Sequence, residues 1–264
     1  MSAIRDLSTA WAAFRSNPVI LVGALFLVGL GEVSVVVNAY VSSVIAAVLW
    51  LPWIFVFPFP LGGLLTMANE ALAGSTDLGA FVRGGKASYV SLLAATIVFA
   101  VIVISVSFAG VIAAAVVGVG TVAASGSVGA AVIVVFGLVG LLVGLVVLFL
   151  QFYDAAIVVS GVGAIDSLSR SAALVRRNFV SAVGFSLVSL AISAIGQGPG
   201  MALYLTATET TEAGAIVVTS GSRFALSVGL TLVLGTIASG LTYTYLVAYY
   251  RSLVATEPAA VAGV

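Results

Sequence analysis

The sequence predicts an all-α polytopic membrane protein with about six transmembrane helices and three amphipathic interfacial helices on the cytoplasmic side. Three observations predict it. Hydrophobic residues make up 62% of the 264-residue chain and charged residues only 7%, where soluble domains run near about 45–50% and about 25%. The chain contains apolar stretches that reach the roughly 20 residues a helical span needs. Its few basic residues collect on one side of those stretches. A soluble fold of this length could not hide so much apolar side chain and still present a charged surface, whereas lipid accepts it.

The first span is expected at Pro18–Ala39, with Pro18 in the first turn, where its missing N–H costs nothing. The segment before it carries Arg5, Asp6 and Arg15, and no cleavage site follows the apolar run. It therefore reads as a retained span and not as a signal peptide. The second span, about Ser43–Met67, contains Pro52, Pro58 and Pro60 and should be kinked or broken. The third is expected near Tyr89–Val117. The fourth is near Val128–Gln151, its helix continuing through Phe152, Tyr153 and Asp154. The fifth is near Val180–Leu205 and the sixth near Phe224–Tyr250. Gly196-Gln197-Gly198-Pro199-Gly200 should break the fifth near its outer end, and Trp50 and Trp53 read as interface anchors.

With six alternating spans, Arg5, Arg15, Arg83, Lys86, Arg170, Arg176, Arg177 and Arg251 share one side. The other side has Glu209, Glu212 and only Arg223. Basic residues resist translocation, so the asymmetry places both termini in the cytoplasm and the protein in the plasma membrane.

Three segments on the basic side look alike: Asp6–Pro18, Asp77–Tyr89 and Asp166–Phe179. Each opens on Asp and ends on a base, a spacer and a small polar residue (Arg15 and Asn17, Lys86 and Ser88, Arg176 and Asn178), just before a span. Ile165, Leu168, Ala172, Val175 and Phe179 recur at intervals of three and four, as do Ile4, Leu7, Trp11 and Phe14. Gly84 and Gly85 interrupt the second stripe. The pattern reads as three surface helices, each feeding a hairpin of two spans. Residues 1–255 then form one domain with repeat units at about 4–72, 76–160 and 164–255, followed by a disordered tail at 256–264.

The third segment, with the residues before it (QFYDAAIVVSGVGAIDSLSRSAALVRRNF, Gln151–Phe179), resembles a signature of an uncharacterised haloarchaeal family of multi-pass membrane proteins. It is more distantly similar to the membrane domain found beside glycerophosphoryl diester phosphodiesterases. The resemblance implies a six-helix membrane domain and no activity, because the phosphodiesterase's catalytic barrel is a separate soluble unit.

Ionisable residues inside a span are functional candidates, since a charge in hydrocarbon is costly. Glu32 lies roughly 21 Å along the first span and must be neutral or face a polar cavity. Asp154, with Gln151 and Tyr153, forms a second intramembrane polar group, for which Arg83, Lys86 or an arginine of the third segment would be the partner. Arg15, Arg83, Lys86, Arg170, Arg176 and Arg177 are the interfacial basic residues. Ala182, Ser186, Ser189, Ser193 and Gln197, the Gly110/Ala114/Gly118 row, and Gly137, Gly140 and Gly144 read as helix-packing faces.

The chain has no Cys and no His. Zinc and thiolate chemistry and every scheme that needs imidazole are therefore excluded, and no metal or other cofactor is expected. No P-loop, dinucleotide fingerprint, HExxH or nucleophile elbow is present. A net charge of zero points to no nucleic-acid partner. The function expected is a non-enzymatic membrane module that organises lipid or a partner membrane protein. The alternative is a small transporter using Glu32 as a proton or cation site.

Overall fold

A computed structural model describes residues 3–41, 43–125, 130–211 and 215–256. In order, the chain forms α1 (Ala3–Ser16), α2 (Ile20–Tyr40), α3 (Ser43–Val56), α4 (Pro58–Ala71), α5 (Leu78–Ser125), α6 (Ala130–Leu150), α7 (Tyr153–Ser160), α8 (Ala164–Arg177) and α9 (Phe179–Ala207). An antiparallel hairpin follows, β1 (Thr208–Thr210) with β2 (Ile216–Val218). Then come α10 (Gly221–Leu230), a π-helical turn (Thr231–Gly235) and α11 (Thr236–Val254). Among the described residues, six segments are long and apolar enough to cross a membrane: Ile20–Tyr40, Pro52–Ala71, Leu78–Val122, Ala130–Ser160, Phe179–Ala207 and Gly221–Val254. The protein is all-α and multi-pass. Gly126, Glu212, the Trp50 side chain and the tail from Glu257 onward lie outside the described residues.

The centre is built from α4, α7 and α11, which pack against one another. Each also receives a segment from the basic end. The first turns of α5 lie on α4, α8 lies on α7, and α1 lies on α11. The first helix of the chain thus closes the arrangement against the last. The core holds an aromatic cluster in which the Phe185 ring sits 4.7 Å from both Tyr245 and Tyr249, with Phe152 5.3 Å from Phe185 and 5.6 Å from Tyr249. Polar ties fix α11 to its neighbours. Tyr249 donates to Ser181 Oγ at 2.7 Å, Tyr250 and Ser160 hydroxyls pair at 2.8 Å, and the Ser252 hydroxyl donates to Asp6 Oδ2 at 2.8 Å. These partners come from α9, α7 and α1.

Two of the three expected surface helices are separate elements, α1 and α8, and both are built into the bundle. α1 buries Asp6, Ala10 and Phe14, and leaves Ile4 and Trp11 exposed. α8 buries Ser167, Leu168, Ser171, Leu174 and Val175, while Ile165 stays exposed. The buried stripe is rotated from the one read in the sequence, because small serines, not only apolar residues, pack closely against α6 and α7. The two helices close alike: Asn17 Nδ2 donates to the Ala13 carbonyl at 2.9 Å, and Asn178 Nδ2 to the Leu174 carbonyl at 3.1 Å.

The second segment departs from expectation. Asp77 caps α5, its Oδ1 accepting from the Ala80 amide at 2.7 Å. The helix then runs unbroken through Gly84 and Gly85 to Ser125. A side chain at Gly84 would overlap the Thr66 hydroxyl, and one at Gly85 would press on the Phe59 carbonyl at 2.8 Å. The glycines are a packing seam with α4, so the segment is the start of a span.

Helix interruptions also fall elsewhere than expected. α9 passes unbroken through Gly196–Gly200 with Pro199 inside it. Gly196 and Gly200 instead let the helix close on Ala238 and Thr231 of the last span, and the irregular backbone sits there, as the π turn. The expected continuation of α6 through Asp154 fails at Gln151–Phe152. In the second span the joint is mild. The Phe57 amide still reaches the Trp53 carbonyl at 2.9 Å, and Pro58 and Pro60 occupy the first turn of α4, where no donor is needed.

Candidate functional site

Glu32 lies on α2 and faces a half-open cavity of about 290 Å³. Val35 of α2, Gln197, Gly200, Met201 and Tyr204 of α9, Ser227 of α10 and Thr231 of the π turn complete its lining. Ser227 donates its hydroxyl proton to the Phe224 carbonyl at 2.7 Å, and Thr231 donates to the Ser227 carbonyl at 3.0 Å. Both oxygens therefore keep lone pairs available as acceptors. Phe224 packs edge-on to Tyr40 at 5.2 Å and against Tyr204 at 6.0 Å, an aromatic layer beside the cavity. Opposite, Gly235 lies against Val28 and Gln197. The sequence singled out Glu32 and Gln197 separately. It gave no sign of Ser227 and Thr231, because a π turn, which often marks functional positions, has no composition of its own.

Gln151, Tyr153 and Asp154 flank the interruption between α6 and α7, and their side chains go three ways. Gln151 Oε1 accepts from Ser186 of α9 at 2.8 Å, and its Nε2 is buried without a partner. Tyr153 turns to α5, its hydroxyl 3.3 Å from Thr96 Oγ1 and its ring stacked on Phe99 at 5.7 Å. Asp154 is buried, its Oδ1 accepting from the Ala155 amide at 2.7 Å. The group shares no lining residue with the Glu32 cavity, so the two intramembrane polar centres are distinct.

The interruption itself is closed by a residue the sequence did not mark. Ser171 of α8, fully buried, accepts from the Phe152 amide at 3.0 Å and donates to the Phe149 carbonyl at 2.8 Å. One hydroxyl thus replaces the backbone bonds lost at the break, which hydrocarbon would otherwise leave unsatisfied.

Of the basic residues, Arg83 is committed to Glu70 at 3.2 Å and Asp77 at 3.8 Å, and not to Asp154. Lys86, Arg15, Arg176 and Arg177 are exposed, and Arg170 in the middle of α8 is half-buried. Asn17 also binds this end together, donating to the Gly74 carbonyl at 3.3 Å and accepting from the Thr76 amide at 3.1 Å.

A second cavity, apolar throughout, lies between α2, α4 and α5. It measures about 490 Å³, and Gly23, Phe26, Leu30, Val56, Phe59 and Phe81 are among its lining residues. Val22, Leu78 and Val82 line its basic end. From Val22 to Leu30 the groove follows α2 for roughly 12 Å, somewhat less than half the thickness of a bilayer's hydrocarbon core. A smaller hollow of about 130 Å³ shares Leu30 and Val56 and carries on to Ser34 and Trp53.

A family model described as a domain of unknown function matches residues 1–253. No curated protein matches the chain, and no solved structure does.

Proposed function

The chain belongs to the DUF7847 family, and from that premise we propose that it is a non-enzymatic membrane module that organises lipid, holding an acyl chain against the bundle. The observation that carries this reading is the apolar groove between α2, α4 and α5. Its volume of about 490 Å³ falls in the range of about 300–1,000 Å³ common for small-ligand sites. An acyl chain fills such a space without desolvating any polar group. The absence of Cys and His from the sequence supports a role outside catalysis. The placement of arginines supports an orientation with both termini in the cytoplasm.

The test uses the protein in nanodiscs containing a phospholipid with a photoreactive acyl chain. Crosslinks should map to Val22, Leu30 and Val82, and Val22→Trp with Val82→Trp should remove them. Crosslinks spread evenly over α6, which has no buried residue among those described, would show that the groove holds nothing selectively. A partner protein co-purifying at the same residues would favour the organisation of protein over lipid. The orientation has its own check: a single cysteine at Thr210, and not one at Ser75 in the exposed turn between α4 and α5, should react with an impermeant thiol reagent outside intact cells.

A second reading, a small transporter, is favoured by the Glu32 cavity. Uptake into proteoliposomes that Glu32→Gln abolishes would support it.

A further inference from the structure

We propose that the cavity beside Glu32 binds a primary ammonium group, R–NH3+. The ligand class follows from what the lining offers. Glu32 supplies one carboxylate, which balances one positive charge. Ser227 and Thr231 have spent their protons on carbonyls of their own helix, at 2.7 and 3.0 Å, and offer only acceptor lone pairs to the cavity. These three acceptor groups, one of them anionic, match in number the three N–H donors of a primary ammonium, and the carboxamide oxygen of Gln197 in the same lining is a further acceptor. An anion would find no charge to match, and a quaternary ammonium would have no N–H to give.

Size and shape agree. At about 290 Å³ the cavity holds roughly ten waters' share of liquid volume, more than a bare alkali ion fills. Val35 and Met201 offer apolar contact to a carbon stem, and Tyr204 adds an aromatic ring to the lining. The site is assembled from three spans. Gly200 makes this possible, since any side chain there would overlap the Thr231 hydroxyl and drive α9 away from the π turn. Glu32 thereby acquires polar company from residues about 165 to 199 positions further along the chain.

Two sources carry this chemistry, a free amine and the aminoethyl headgroup of a phospholipid. Neither depends on the apolar groove, which lies on another side of α2 and is lined by different residues.

The experiment measures ligand-induced thermal stabilisation of the full chain in phosphatidylcholine nanodiscs, which contain no primary amine. Ethylammonium should stabilise the protein, and tetramethylammonium at the same concentration should not. Glu32→Gln should weaken ethylammonium binding at least tenfold. Should that variant fail to fold, Thr231→Val and Ser227→Ala, which each remove one acceptor, should weaken it in turn. In a second arm, phosphatidylethanolamine replaces part of the lipid. Competition with ethylammonium, together with retention of that lipid in native mass spectrometry, assigns the site to a headgroup, and the lack of competition assigns it to a free amine. Stabilisation by tetramethylammonium equal to that by ethylammonium would overturn the proposal. So would undiminished ethylammonium binding in all three variants, or no binding of either source.

Discussion

Replacing Ser171 with Ala isolates the chemistry that closes the break between α6 and α7. The substitution removes one oxygen and leaves the packing almost unchanged. It strips two bonds: the Phe152 amide loses its acceptor at 3.0 Å, and the Phe149 carbonyl loses its donor at 2.8 Å. Both Ser171 and Phe152 are fully buried, so no water replaces the lost partner. A buried donor left without an acceptor costs about 1–3 kcal/mol. The second bond adds little, since hydrogen bonds between membrane helices average about 0.6 kcal/mol. The expected loss is about 2–3 kcal/mol, or roughly 30- to 150-fold in the folding equilibrium. Reversible unfolding in mixed micelles with increasing SDS would measure it. Ser169→Ala is the control. Its hydroxyl makes a similar bond to a carbonyl three residues back, at 2.9 Å, but on an exposed face, so its loss should stay within about 0.5 kcal/mol. If the two variants unfold together, the hydroxyl does not satisfy the broken backbone and the reasoning fails.

Asn17→Ala removes two hydrogen bonds that join the link between α1 and α2 to the turn before α5, and a third that closes the end of α1; a loss of about 1–2 kcal/mol is expected in the same unfolding assay, with faster hydrogen exchange at the Thr76 amide. Gly84→Ala should destabilise by about 1–3 kcal/mol, because the added carbon overlaps Thr66 on the facing helix. Gly137→Ala, where nothing lies within 4 Å of the added carbon, should be neutral or stabilising by up to about 1 kcal/mol; equal effects at the two glycines would remove the packing seam from the account.

How far each feature could be read ahead depended on whether its cause was local. Asp77 as the cap of α5 was legible, because a cap needs only its own next few residues. Gly110 and Gly118 were legible as members of a close-packing row, and they do meet α6, Gly110 against Val139 and Gly118 against Val132. Gly137, Gly140 and Gly144 look identical in sequence yet face open space. Gly84 and Gly85 look like breakers and are a seam. Gly196–Gly200 look like a break and sit in an intact helix. In each case the deciding atom belongs to a residue far away in the chain, which no local pattern contains.

Lipid as the solvent, six crossings and the gathering of basic residues at one end follow from the amino acids alone. Those properties add up residue by residue: each apolar side chain favours lipid, each arginine disfavours it, and every span must satisfy its own backbone. Where the helices are interrupted, and what repairs them, emerges from the packed bundle. It also decided which glycines touch a neighbour, and that Glu32 shares a cavity with Gln197, Ser227 and Thr231. These outcomes depend on the distance between residues from different spans, and that distance exists only once the helices have packed.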